Sequence, residues 1–230
     1  MSLQSVRQVI FTKNGAMNKY DSTSDCYHLI MGVFEIKPIL EGLNLADIKK
    51  GEMVLDIAFG TGWSLEKIIP YLGSDEMIHG IDFSKCMHRV AKTRLRKIGM
   101  ENRVVLVLGN VLKSPYKDET FDVVFASFIL DLQKIEDIQI LLNEIKRILK
   151  KNGRAILIAM TKEGNGLHKI ARCFYDWFYL YWPTVFGYRA SSRPIYVNKD
   201  VKKAGFKIIK EKLTYIPLFY FPIKVIICKK

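Results

Sequence analysis

Val54-Leu55-Asp56-Ile57-Ala58-Phe59-Gly60-Thr61-Gly62 decides the fold of this 230-residue chain. Its first half is a short apolar run that predicts a buried strand over 53–58. Its second half is a glycine turn. Gly60 and Gly62 let the backbone approach a ligand closely, and the helix predicted at 62–72 starts with unpaired N–H groups. Asp56 is the anomaly, because a carboxylate inside an apolar strand is costly unless it serves a ligand or the loop amides. It suits an ammonium group. Taken alone, the G-x-G turn signals only a nucleotide-type site.

Working outward, short apolar runs alternate with helical patterns from residue 52 onward, which predicts βαβ units on a parallel sheet. Further strands are predicted at 77–82, 104–108, 121–127 and 155–160. Ser84 caps a helix whose buried face reads Met87, Val90, Ala91, Leu95 and Ile98, with Gly99 as its stop. Ile135, Ile138, Leu141, Leu142, Ile145, Ile148 and Leu149 repeat at the helical period, and Asn152-Gly153 breaks that helix. The 104–108 run is almost wholly apolar, as expected of a strand covered on both faces. A helix near 197–204 then leads to strands at 206–214 and 222–228, too close in sequence for a parallel crossover and therefore antiparallel. The expected fold is α/β: a Rossmann-like three-layer sandwich with a seven-stranded, mostly parallel sheet and a C-terminal antiparallel hairpin. The chain reads as one domain over 1–230. A helical cap covers 1–50, with 24–42 helical and set over the site. The ligand-binding core is 51–160, an aromatic insertion fills 161–196, and the last helix and hairpin occupy 197–230.

Composition narrows the function classes. The chain is 49% hydrophobic and 26% charged, ordinary for a globular protein and unlike a disordered one. Cys26, Cys86, Cys173 and Cys228 are scattered without a C-x-x-C pair, which predicts a reduced, cytoplasmic protein. His28, His79, His88 and His168 lack metal-ligand spacing, so no metal is expected. No apolar run reaches the roughly 18–20 residues of a membrane span, and no signal core opens the chain. The net charge of +13 invites an anionic partner. Its carriers are spread over Lys92, Arg94, Arg96 and Lys97, over Lys146, Arg147, Lys150 and Lys151, and over six lysines from Lys199 to Lys212, which reads as solvated helix faces.

The remaining pocket residues sit at predicted carboxyl ends of strands, where open α/β sheets place ligands. Asp82 ends the second strand, with Phe83 after it, and an acid there can take both hydroxyls of a ribose. Gly109-Asn110-Val111 follows the third strand, where Asn110 can bond an adenine edge. Ser127-Phe128 follows the fourth and would floor the adenosine. As a set, VLDIAFGTG, HGIDFS, LGNV, FDVVFASFILD and RILKKNG resemble the successive motifs of class I S-adenosylmethionine (SAM)-dependent methyltransferases, over about residues 20–160. The resemblance implies Asp56, Gly60 and Gly62 around the methionine half of SAM, Asp82 on its ribose and Asn110 on its adenine. Ala58 stands where the family has glycine and Asn110 where it has aspartate. Alanine adds one methyl at a φ-permissive site, and asparagine still accepts a hydrogen bond. A nicotinamide dinucleotide fits less well: the third glycine of its fingerprint would be Leu65, and Asp56 would repel a pyrophosphate.

Methyl transfer from a sulfonium needs proximity, orientation and exclusion of water more than a catalytic triad, and a base only if the acceptor carries a proton. Within the family, the chain most resembles the quinone-biosynthesis and phospholipid head-group methyltransferases. Asn18-Lys19-Tyr20-Asp21 followed by Tyr27 is similar to their N-terminal pattern, and Phe125–Leu130 to their run after the fourth strand. Where they carry histidines, Asp131-Leu132 stand. Asp131 is the candidate acid or base, against a bland reading as a cap or loop acid, and Tyr20 is the candidate to close over SAM, against a core role. Residues 174–188 hold nine aromatic side chains, read as a lid over a lipophilic or aromatic acceptor, an interfacial membrane helix, or a core or homodimer contact. Arg193 meets an anionic acceptor or caps this insertion. The expected partner is a small-molecule or lipid acceptor, with peripheral contact to an anionic membrane. Nucleic acid ranks lower, since Ala-Ser-Phe-Ile replaces the motif that holds a base amine and no RNA-binding module is evident. The alternatives are an RNA methyltransferase and a catalytically silent SAM-binding regulatory subunit.

Overall fold

The computed structural model describes residues 35–164, 166, 173, 193–215 and 221–230. A helix over 35–46 (α1) leads into strand Val54–Ile57 (β1), helix Trp63–Ile68 (α2) and a short 3-10 turn at Ile69–Tyr71. Strand Ile78–Asp82 (β2), helix Lys85–Lys97 (α3) and strands Val104–Leu108 (β3) and Phe121–Ser127 (β4) follow. Helix Ile135–Ile148 (α4) runs directly into strand Leu149–Met160 (β5), and helix Val197–Lys203 (α5) precedes strands Lys207–Tyr215 (β6) and Pro222–Lys229 (β7).

The seven strands form one sheet in the order β3-β2-β1-β4-β5-β7-β6. β1 to β5 pair in parallel, whereas β7 lies antiparallel between β5 and β6. Period-2 alternation divides the core into two halves. Leu55, Val124, Ala126, Ala155, Leu157 and Ile226 pack with α4 and α5 on one face. Val54, Val123, Phe125, Ile156, Ile158 and Val225 pack with α1, α2 and α3 on the other. The result is the predicted three-layer sandwich, with crossovers reversing direction between β1 and β4, the place where such sheets bind ligands.

Several local signals act as read. The Ser84 hydroxyl accepts from the Met87 N–H at 3.2 Å and caps α3, and Gly99 ends it at φ +71°. Gly42 lets α1 lie close on the sheet, since a Cβ there would sit 2.7 Å from Ile158 Cδ1. Arg154 fixes the other end of α1, donating to the Ala46 carbonyl at 2.6 Å while its guanidinium pairs with Glu52.

Other expectations need correction. β3 is an edge strand, part-exposed throughout, with Leu108 at 46%. Ile98 and Ile135 stand more than two-fifths exposed, outside the buried stripes assigned to them. β5 begins at Leu149, which pairs with Phe121, so Asn152-Gly153 falls inside the strand as an irregularity instead of before it. The helix foreseen over 24–42 is described only from residue 35, and it continues to 46. Much of the basic charge is also engaged: Lys146 donates to the Ala204 and Gly205 carbonyls that end α5, Arg147 pairs with Glu144 and Asp118, and Lys150 pairs with Asp122.

Candidate functional site

The glycine turn folds back over β2. Ala58 donates to the Ile81 carbonyl at 2.7 Å and Gly62 to the Phe59 carbonyl at 2.9 Å. Phe59 is buried against Gly80, where a Cβ would come within 2.7 Å of the ring. Gly62 is required twice over. Its φ is +76°, and a Cβ would meet the Ala91 Cβ of α3 at 2.9 Å. Ala58 takes φ +57°, the left-handed region, so its methyl is strained by about 1–2 kcal/mol instead of being freely tolerated.

Two buried carboxylates flank this turn. Asp82 is 4% exposed. Its Oδ2 accepts from the Gly60 N–H and its Oδ1 from the Ser84 N–H, both at 2.9 Å. Burial raises its pKa, opposed by the backbone donors Ser84, Gly60 and Phe83. The residue placed on a ribose by the sequence therefore also shapes the loop, and the three backbone donors leave it acceptor capacity for a ribose hydroxyl. Asp56 is fully buried and accepts from the Ser64 hydroxyl of α2 through Oδ2. Its Oδ1, equally buried, has no hydrogen-bond partner among the described residues. Burial, reinforced by the nearby Asp82 charge, pushes the Asp56 carboxyl up to about 8 against the lowering effect of Ser64.

The third- and fourth-strand residues complete the rim. The Gly109 N–H donates to the Asp82 carbonyl at 2.9 Å, setting the loop after β3 beside the turn. Asn110 is exposed, and its Oδ1 accepts from the Leu112 N–H at 3.0 Å. That turn leaves its amide N–H groups as the readier contact for a base edge, where the sequence reading relied on the carbonyl. Val111 is 4% exposed and belongs to the core on the α4 face. Ser127 is part-buried. Phe128 takes φ +52°, donates to the Ile158 carbonyl at 2.7 Å and packs on the α1–α3 face. Phe83 is part-buried beside Asp82.

These groups fit SAM. The orphaned Asp56 oxygen matches its ammonium, Asp82 its ribose hydroxyls, and the two turn glycines leave room for close approach of a ligand.

A second cluster lies beyond the ends of β4 and β5. Asp131 is fully buried, with the Met160 N–H 3.5 Å from its Oδ2, and its carbonyl accepts from the Arg193 N–H at 3.1 Å. Arg193, 2% exposed, donates to the Gln133 carbonyl at 2.6 Å, so it stitches the chain after the insertion onto the loop after β4. Glu35 of α1 was not foreseen. Burial and the charge of Asp131 push its carboxyl up to about 8. Ser64 was missed as well, although a hydroxyl in the first turn of the helix after the glycine loop was a usable signal. Tyr20 and residues 174–188 lie outside the described residues. Among the described residues no helix is long and apolar enough to cross a membrane, and no group of three potential metal ligands occurs.

Residues 54–153 match the family described as a methyltransferase domain. A demethylmenaquinone methyltransferase of Bacillus mycoides is 32% identical over 123 residues, 53% of this chain and 50% of that protein. A ubiquinone/menaquinone biosynthesis C-methyltransferase of Saccharophagus degradans is 28% identical over 174 residues, 74% of this chain and 66% of that protein. The chain thus spans about half the length of the first of these relatives. Among solved structures, a SAM-dependent methyltransferase from Aquifex aeolicus superposes with TM-score 0.61 at 19% identity, covering 95% of this chain and 98% of that one. The [4+2]-cyclase SpnF superposes with TM-score 0.74 at 17% identity, covering 96% of this chain and 97% of that one. At such identities the likeness shows the fold and leaves the chemistry to the site.

Proposed function

We propose that this chain is a SAM-dependent methyltransferase acting on a lipophilic aromatic acceptor of the quinol class. The observation that carries the cofactor is Asp56: a buried carboxyl with one oxygen fixed by Ser64 and the other without a donor, beside a glycine turn. The acceptor class is supported by the names of the relatives and by the aromatic run 174–188.

Bound SAM supplies an electrophilic methyl on a sulfonium. Asp56 holds the ammonium, Asp82 takes the ribose hydroxyls while keeping Gly60 in place, and Asn110 meets the adenine rim. Asp131 is the candidate base for an acceptor hydroxyl, and its charge helps hold the nearby Glu35 carboxyl protonated. Positioning does the rest, since a donor already activated needs mainly alignment and a dry site.

The test is transfer from methyl-labelled SAM to reduced demethylmenaquinone in detergent micelles, with total RNA as a parallel acceptor. Label in the solvent-extractable lipid supports the reading. Label in RNA alone overturns the acceptor class, and label in neither from protein that binds SAM favours the silent regulatory subunit.

A further inference from the structure

Asp56 sits one residue before the end of β1, opposite Gly80 of β2 and Phe125 of β4. By strand alternation it shares the sheet face of Val54, the face that carries α1, α2 and α3. Ser64, 6% exposed in the first turn of α2, donates its hydroxyl to Oδ2. Oδ1 is buried with no donor among the described residues. The charged group acting on this carboxyl is Asp82, itself fixed by the Gly60 and Ser84 N–H groups and facing His88.

A buried carboxylate with a like charge nearby and an unbonded oxygen is unstable as an anion. With no donor among the described residues, Oδ1 is satisfied by a proton of its own or by a donor from a ligand. We propose that Ser64 is the positioning residue for Asp56, and that docking of the cofactor's ammonium on Oδ1 expels a proton from that carboxyl. The inference rests on the SAM reading above and goes beyond it, because it assigns a role to Ser64 and couples binding to a proton.

The balance is simple. The carboxylic acid O–H ionises and its proton passes to solvent. The ammonium keeps all its protons, and an ion pair replaces the neutral acid. Ser64 donates to Oδ2 in both states, so it holds the plane of the carboxyl and leaves Oδ1 as the oxygen that exchanges proton for ammonium. With the Asp56 carboxyl near 8, most molecules at pH 7 carry this proton before binding.

The experiment is calorimetric titration of the full chain with S-adenosylhomocysteine at pH 7, in buffers of different ionisation enthalpy. 5′-Methylthioadenosine, which keeps the nucleoside and lacks the amino acid, is the control and subtracts proton changes at Asp82 and elsewhere along the nucleoside. S-adenosylhomocysteine should release about one proton more than methylthioadenosine does at pH 7, and the difference should shrink as pH rises toward 8. Ser64→Ala should weaken S-adenosylhomocysteine about tenfold or more while leaving methylthioadenosine unchanged, and Ser64→Thr should recover the affinity. Binding of S-adenosylhomocysteine with no extra proton overturns the proposal. So does a Ser64→Ala variant that weakens both ligands alike, which would mark a purely structural serine. Should Ser64→Ala not fold, the wild-type proton count and the threonine variant still decide. Failure of both ligands to bind sinks the cofactor reading itself.

Discussion

Replacing Asp56 by asparagine should stabilise the ligand-free protein and destroy its cofactor affinity. In the unfolded chain an aspartate titrates near its ordinary value of 3.8, whereas burial in the fold raises Asp56 to about 8. A carboxyl whose folded pKa is raised binds more protons in the native state, so its contribution to stability falls as pH rises from about 4 to about 8 and is lost above that. At pH 7 the unfolded carboxyl is ionised and the folded one is mostly protonated, a penalty of about 4 kcal/mol by linkage. The asparagine side chain escapes that penalty because it has no charge to lose. Its amide donors have no acceptor among the described contacts of this carboxyl, which returns about 1–3 kcal/mol. The expected net gain is about 2 kcal/mol at pH 7, shrinking toward zero or reversing near pH 4. Urea unfolding of both proteins at pH 4, 5, 6, 7 and 8 reads the difference directly, and the subtraction cancels Asp82 and Glu35, which titrate in both. Asparagine cannot neutralise an ammonium, so S-adenosylhomocysteine should bind at least about a hundredfold more weakly. A variant less stable than wild type at pH 7, or one that binds the ligand normally, refutes this account of Asp56.

Three other substitutions probe the turn and the acceptor end. Ala58→Gly relieves left-handed strain of about 1–2 kcal/mol and gives back about 0.4–1 kcal/mol of unfolded-state entropy, so thermal unfolding should show a small net gain with ligand affinity intact. Gly62→Ala combines φ +76° with a 2.9 Å contact to the Ala91 Cβ, and should cost about 2 kcal/mol or more in urea unfolding together with a loss of S-adenosylhomocysteine binding. Asp131→Asn should leave S-adenosylhomocysteine affinity unchanged while lowering turnover of reduced demethylmenaquinone about 10²–10⁴-fold, and undiminished turnover would remove Asp131 as the base.

How much of this was legible in the sequence depends on how far each contact reaches along the chain. The glycine turn, the Ser84 cap and the Gly99 stop are local devices, and each acts where its residues predict. Asp56 announced itself because a carboxylate in an apolar run needs a reason. Ser64 lies only eight residues on, but its pairing depends on the helix entering at the angle Gly62 allows. Glu35 and Asp131 are far apart in sequence and meet through the packing of α1 on β5, which no local pattern encodes. The apolar character of β3 misled for a related reason. Whether a strand is central or at an edge is fixed by strand order, and Val104–Leu108 reads alike in either place. Leu149 was read as the last apolar turn of a helix, whereas the backbone turns extended there and pairs it with Phe121. Asn110 shows the converse case: its side chain was assigned to a ligand, and its oxygen first closes its own loop.

Whether Asp56, the glycine turn and Asp82 form one SAM site is read from equilibrium titration of the purified chain with S-adenosylhomocysteine. Saturable binding at one site per chain is expected, lost in Asp56→Asn and weakened in Asp82→Ala by about 1.5–3 kcal/mol. Folded wild-type protein that shows no saturable binding of either S-adenosylhomocysteine or SAM would contradict it.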